Sequence, residues 1–427
     1  MQSTRIATVY EILVGSYFAF LIFVLTQGPV YRLVYSDAQS SLKPDALVVA
    51  FAIFVMAQIP ALVAARFSEI KGLGRDFGAI CVLCAFLLLT SLWSTARAAT
   101  ITAAASFALT AFVAVSLVAR LKPRTAMWSV MFGLQPGLIL SACAVYRKWP
   151  QAIEAKSSLE PWITTKNWVG VYGNRNSLAP VAGIGMLTGL FVLWQLLRGP
   201  SRIKILRVAP VIVITSFDAF VLFRSGSATI PFALVIASIA LVALNLILQF
   251  VQRKPKFVRH RQIKYPVMLL LMSILVVGLQ WLHQRYDRLS GFDGRTDYWR
   301  ASLEAWKHRP IFGWGFMALW NTNSFRNNLP SRISGATWGH SSYFDALTGG
   351  GLLLAILFLG IIGVVTVRAL FVPSTDIASA WMSLVALTIL LASTQESFLL
   401  GNHFFLLLLI FTGVKLRLNR LSTGMEH

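Results

Sequence analysis

Runs such as ALVVAFAIFVMAQIPALVAA, ITAAASFALTAFVAVSLVA and ATIPFALVIASIALVALNLIL recur along this 427-residue chain. Each is long enough, at about 1.5 Å per residue, to cross a hydrocarbon layer of about 30 Å. A segment in hydrocarbon must satisfy its own backbone, so these runs read as spanning helices and the fold class as an all-α integral membrane protein. The composition agrees, with 56% hydrophobic and 13% charged residues. About twelve transmembrane helices are expected, near 8–27, 46–65, 77–94, 98–118, 125–146, 177–197, 206–223, 228–250, 266–283, 349–371, 377–394 and 402–416. The first run exceeds signal-peptide length and no small-residue cleavage site follows it, so it reads as an uncleaved anchor.

Charge placement sets the expected orientation. Lysine and arginine total 38 against 16 acidic residues, a formal charge of +22. Basic clusters follow alternate spans: Arg66, Lys71 and Arg75; Arg120, Lys122 and Arg124; Arg198, Arg202, Lys204 and Arg207; RKPKFVRHRQIK at 253–264; and Lys415, Arg417 and Arg420 in the tail. By the positive-inside rule these ends are cytoplasmic, which puts both termini inside. Topology accounts for the basic excess, so no nucleic-acid partner is expected. Cys81 and Cys84 form a C-x-x-C, but they and Cys143 fall inside apolar spans and lack a second ligand pair. They read as small packing residues, with neither a metal nor a disulfide.

Two outward connections are longer than the rest, 147–176 and about 284–348, and both are rich in Trp, Gly and Pro rather than low-complexity polar sequence. The chain thus divides into spans one to nine over 1–283, with the outer loop 147–176; a partly helical extracytoplasmic loop domain over 284–348, between spans nine and ten; and spans ten to twelve with a cytoplasmic tail over 349–427. The second loop carries Arg285, Arg288, Arg295, Arg300, Lys307, Arg309, Arg326 and Arg332 against Asp287, Asp293, Asp297 and Glu304. Positive charge on the outer face opposes the topological bias, and an anionic ligand is the economical explanation.

An amphipathic helix is expected near 294–308. At 100° per residue Arg295, Trp299, Ser302 and Trp306 share one face with Leu303 beside them, and Asp297, Arg300, Glu304 and Lys307 lie opposite. Arg295 is therefore on the apolar side. By pattern alone two readings stand: it snorkels past Trp299 or stacks on an indole, or it points into a central cavity and grips a phosphate with its planar fork of donors.

Other polar residues fall at the outer ends of spans. In WGHSSYFDALTGGG, Ser342 and Asp345 resemble a helix cap, which places His340 at a helix start, either as a proton shuttle or as a histidine satisfied by backbone carbonyls. In GNRNSLAP, Asn174 and Asn176 cap a helix, or with Arg175 and free backbone N–H groups face an anion. FRSGSAT is a tight turn whose Arg224 is an interfacial anchor, or joins Ser225, Gly226 and Ser227 in an anion-binding concavity. Glu396 and His403 lie near the outer ends of the last two spans.

GNRNSLA, GRTDYW, PIFGWGF and GHSSYFDALTGGG, in that order, resemble the O-antigen ligase, O-antigen polymerase and exopolysaccharide polymerase superfamily of bacterial membranes. The resemblance is specific over roughly 290–352. It implies a glycosyltransferase that moves a glycan from a polyprenyl diphosphate carrier to an acceptor hydroxyl on the outer face of the cytoplasmic membrane, without nucleotide sugar, metal or other cofactor. Arg295 matches the arginine of the family's G-R-x-x-x-W motif and is implied to bind the diphosphate. His340 matches the histidine of H-[NS]-x-[YF] and is implied to orient or deprotonate the acceptor. Trp299, Arg300, Tyr343, Glu396, Asn174, Arg175, Asn176, Arg224, Ser225 and Ser227 complete the expected substrate-contacting set. One departure stands out: many ligases carry an arginine shortly after the serine of the turn between spans seven and eight, where this chain has Ala228, and Arg224 is the candidate substitute.

The expected partners are the carrier-linked donor, a glycan, glycolipid or lipid-linked acceptor, and membrane lipids. Arginine and helix N-termini would hold the leaving diphosphate while His340 takes a proton, and direct displacement would invert the anomeric centre. No carboxylate pair suggests a hydrolase. Ligase is the first expectation and polymerase of carrier-linked repeat units the second. Outside this class stand a twelve-span secondary transporter and a glycan-export scaffold. RFSEIKGLGRDFG is similar to the Gly/Arg-rich loop of major-facilitator transporters, but it lacks the Asp-Arg pairing and the chain shows no internal repeat.

Overall fold

The computed structural model describes residues 2–34, 44–65, 73–149, 151–154, 167–198, 204–251, 295–330, 333, 338–371, 376–400 and 403–422. Helices stand at every expected span except the ninth, 266–283, which lies outside the described residues, as does the start of the second loop through 294. They are α1 (Gln2–Leu25), α2 (Gly28–Val34), α3 (Pro44–Val63), α4 (Arg75–Leu89), α5 (Arg97–Arg120), α6 (Pro123–Tyr146), α7 (Arg175–Arg198), α8 (Lys204–Ser225) and α9 (Thr229–Val251). After the second loop come α10 (Arg295–His308), α11 (Asn323–Asn327), α12 (Ser342–Phe371), α13 (Ile377–Ala392) and α14 (Phe404–Ser422). Among the described residues, 7 helices are long and apolar enough to cross a membrane, and three shorter apolar stretches lie in α3, α9 and α13.

Helix α7 sits at the centre, buried from Leu178 through Val192. Its small residues let neighbours approach, the usual device for helix packing where no hydrophobic force distinguishes helix from lipid. A Cβ at Gly185 would come within 2.5 Å of Asp218 on α8, and one at Gly189 within 2.2 Å of Thr215. Asp218 is fully buried, and both of its carboxylate oxygens accept from Gln135 Nε2 of α6 at 3.0 Å. At one end of the bundle Asp76 of α4 joins Arg368 of α12, at 2.7 Å, to Arg417 of α14, at 3.2 Å. The connections that carry the expected functional residues lie at the other end.

The PIFGWGF stretch owes its sequence to a break in α12. At Gly351 the backbone takes φ 65° and ψ −157°, a region open in practice only to glycine. The break frees backbone groups, and 309–316 satisfies them: Trp314 and Gly315 donate to the carbonyls of Thr348 and Gly349 at 2.8 Å, and Leu352 donates to Pro310 at 2.8 Å. Gly313 and Gly315, both at positive φ, permit this approach, since a Cβ at Gly313 would lie 2.5 Å from Gly351 N. Trp320, Leu319 and Ala305 are buried together under Tyr298, Trp314 and Phe325, so the second loop has a small apolar cluster of its own.

Gly351→Ala meets Ile311 O at 2.2 Å as well as a forbidden φ. It is expected to lower stability by about 1–3 kcal/mol. Thermal unfolding in detergent checks this, and an unchanged midpoint would show that the loop does not depend on the break.

Candidate functional site

The turn between α13 and α14 carries Gln395 and Glu396, and four helices begin against it. Asn176, in the first turn of α7, donates Nδ2 to Glu396 Oε1 at 2.9 Å. Thr229, the first residue of α9, pairs with Gln395 Oε1 at 3.3 Å. Arg295, the first residue of α10, donates Nη2 to Glu396 Oε1 at 2.7 Å and Nη1 to Gln395 Oε1 at 3.2 Å. His340, just before α12, places Nδ1 3.1 Å from Glu396 Oε2. Helix N-termini carry partial positive charge and unpaired N–H groups, so their convergence builds a region suited to anions.

Arg295 and Glu396 are 8% and 5% exposed, and a buried ion pair survives only with further hydrogen bonds to both partners. Gln395 and Asn176 supply them. Burial pushes the Glu396 carboxyl up, but the hydrogen bond and charge of His340 and the charge and hydrogen bond of Arg295 outweigh it, holding the group below the usual carboxylate range. An ionised carboxylate only accepts, so His340 Nδ1 is the donor in this contact and Nε2 is the ring nitrogen turned away from Glu396. Among the described residues Nε2 has no hydrogen-bond partner, and the ring packs against Tyr298 at 4.5 Å and Trp338 at 5.7 Å between centroids. Burial, then the charges of Glu396 and Asp297, raises the Tyr298 phenol above its usual range.

Of the expected residues, Arg295, His340, Glu396, Asn176 and Ser227 come together, Ser227 Oγ donating to Asn176 Oδ1 at 2.8 Å. Asn174 caps α7, its Oδ1 accepting from Asn176 N at 2.7 Å. Others are placed elsewhere. Arg224 lies 5.5 Å over the Trp168 ring, and Arg175 is 3.6 Å from Glu154. Tyr343 OH donates to Leu390 O at 3.0 Å, Trp299 stacks on Phe344 at 5.6 Å, and Arg300 is exposed. Ser225 Oγ donates to Leu222 O within its own helix, and Asn167 packs on Gly226.

Two local expectations are corrected. Arg295 and Ser302 of the expected α10 face are buried and Trp299 stacks on Phe344, but Leu303 is exposed and Ala305 is buried instead, because Tyr298 and Ala305 pack on Trp320 and rotate the buried face toward them. Ser342 does not cap α12. Its Oγ donates to Glu396 O at 3.2 Å and accepts from Leu399 N at 3.1 Å, because the 396–399 turn offers groups with no ladder partner. Gln395, Thr229, Tyr298 and Asp345 belong to the site or its support and were not expected there. For Thr229, Tyr298 and Asp345 the signal was a polar residue in the first turn of a helix, and Gln395, in a turn, had none.

Because Glu396 is held below the ordinary value of 4.5, it contributes stability that is complete above that pH and is lost as pH falls through its folded-state value. Glu396→Gln is expected to flatten this acid limb. Thermal stability measured from pH 6 down to about pH 3 compares the two, and parallel curves would refute the assignment.

Residues 174–359 match the family model described as O-Antigen ligase, and this span contains Asn176, Ser227, Arg295 and His340. No curated protein matches the chain. The matched segment, under half of the chain, is thus similar to the O-antigen ligase family and supports the resemblance carried by GNRNSLA, GRTDYW and GHSSYFDALTGGG.

Proposed function

We propose that the chain transfers a glycan from a polyprenyl diphosphate carrier to an acceptor hydroxyl, as a ligase, with the Glu396 cluster as its reaction centre on the outer face of the bacterial cytoplasmic membrane and both termini inside. The observation that carries this reading is the His340–Glu396–Arg295 chain of contacts at 3.1 and 2.7 Å, built where four helices begin. The acceptor oxygen attacks the anomeric carbon, the bond from that carbon to the diphosphate oxygen breaks, and the diphosphate leaves with the bonding pair. The acceptor proton passes to His340 Nε2, and Glu396 stabilises the imidazolium that forms.

Arg295 spends two donors on Gln395 and Glu396, which leaves its remaining N–H groups for the diphosphate. These donors and the N-termini of α7, α10 and α12 are fixed before charge develops on the leaving group, the condition under which such stabilisation is strongest. Direct displacement inverts the anomeric centre, and product stereochemistry tests that step. Arg224 and Arg175, held by Trp168 and Glu154, and the exposed Arg300 act on the charged substrate only at longer range. The bilayer holds the polyprenyl tail, which explains why the reaction needs a membrane scaffold.

The experiment is the size distribution of carrier-linked glycan in cells lacking the protein, complemented by wild type, Arg295→Ala or His340→Ala. Long chains accumulating on the carrier mean a ligase, and single repeat units mean a polymerase. In purified protein His340→Ala is expected to lower transfer by about 10²–10⁴-fold, and Arg295→Lys to fall well short of wild type because a point charge does not reproduce the fork. No accumulation, with both variants complementing normally, overturns glycosyl transfer and favours a transporter.

A further inference from the structure

We propose that Asp345 is a positioning residue that sets the distance between His340 and Glu396. Its two carboxylate oxygens hold the residue before the one and the residue after the other. Oδ1 accepts from Gly339 N at 2.9 Å, and Oδ2 accepts from Ser397 Oγ. Gly339 adjoins His340, and Ser397 adjoins Glu396. Neither segment belongs to a helix; backbone bonds from Ser342 N to Ser393 O at 3.0 Å and to Glu396 O at 3.3 Å join them on the far side of His340, and Asp345 ties the near side.

The backbone at His340 needs such a tie. Its φ is 51°, in the left-handed region that side chains other than glycine seldom adopt, and such conformations persist only where their surroundings hold them. Asp345 acts on both flanks: its carboxylate binds Gly339 N on one side, and its own N–H donates to Ser341 O at 3.0 Å on the other. Gly339 is required for this approach, since a Cβ there would lie 2.6 Å from Asp345 Oδ1. From the same turn of α12, Ser342 binds Glu396 O and Leu399 N, so the first turn of the helix grips both halves of the dyad.

An acidic residue serving only the helix dipole would stay exposed and pair with its own first-turn N–H groups. Asp345 is 3% exposed and reaches out of its helix to two other segments. Burying a carboxylate is costly, and charge-assisted hydrogen bonds are the shorter and stiffer kind that such positioning requires. The inference rests on the glycosyl-transfer reading for its kinetic consequence, while the geometry it asserts is independent of the reaction.

The test uses the full chain in nanodiscs with a polyprenyl diphosphate-linked glycan and an acceptor glycan. Asp345→Ala is expected to lower kcat by about 10²-fold while KM for the donor stays within about threefold. Asp345→Asn keeps an acceptor for Gly339 N and restores most of the rate. In a Glu396→Gln background Asp345→Ala costs much less, because residues that act as a unit are not additive. An unchanged kcat, or the same loss in both backgrounds, overturns the proposal. A second measurement needs no turnover: ethoxycarbonylation of His340 by diethyl pyrocarbonate, followed by mass spectrometry, is expected to run several-fold faster in Asp345→Ala and at the wild-type rate in Asp345→Asn. Equal rates in all three overturn it. Should Asp345→Ala not fold, Ser397→Ala removes a single donor and is expected to give a smaller rise, whose absence is equally decisive. A wild type without transfer but with the labelling difference would sink the glycosyl-transfer reading and leave the positioning role standing.

Discussion

The buried carboxylate of Glu396 is the constraint on which the rest of the site depends. A charge at 5% exposure is stable only when donors surround it, and here they come from Asn176, Arg295 and His340, at or just before the starts of three different helices. Each donor stands at or beside the start of its helix, so the need to satisfy one carboxylate brings together helix ends whose partial charges favour an anion. The same contact orients the His340 ring, because a carboxylate that only accepts requires Nδ1 to donate and turns Nε2 away from it. Structural and chemical requirements therefore coincide in one side chain.

The membrane shapes what surrounds this centre. A spanning helix that breaks must find partners for its freed backbone groups, and α12 breaks at Gly351 only because 309–316 lies against it and supplies them. The break and the loop are two halves of one arrangement, which couples the second loop rigidly to the helix that begins beside His340. Trp314 contributes again by donating its indole N–H to Ala305 O at 2.9 Å, tying the end of α10 to the same loop. Arg295 and His340 are thus carried on elements that cannot shift independently.

Much of this was legible in the chain. Apolar run length located the helices, since a membrane leaves the backbone few alternatives. The misplacement of Arg295 on an apolar face foretold its burial, and the start of a helix after His340 was correctly read. Less legible was the edge of the buried face of α10: wheel geometry put Leu303 beside Arg295 and Ser302, whereas packing on Trp320 selected Tyr298 and Ala305. Arg224 read as a ligand candidate because a cation near an outer turn has no local signature of its partner, and that partner, Trp168, lies 56 positions away by number. Asp345 looked like a helix-start acid for the same reason, since the groups it binds sit outside its helix.

What the sequence determined by itself was the helical membrane class and the helix that starts with Arg295 on its apolar side, because periodicity, run length and charge are local properties. Only the tertiary structure decided that Asn176, Arg295 and His340 meet at Glu396, that Asp345 reaches Gly339 and Ser397, and that Arg175 and Arg224 turn to Glu154 and Trp168. Those outcomes depend on which helix ends meet across the bundle, and a chain read residue by residue carries no direct record of the distances between segments that fold together from far apart.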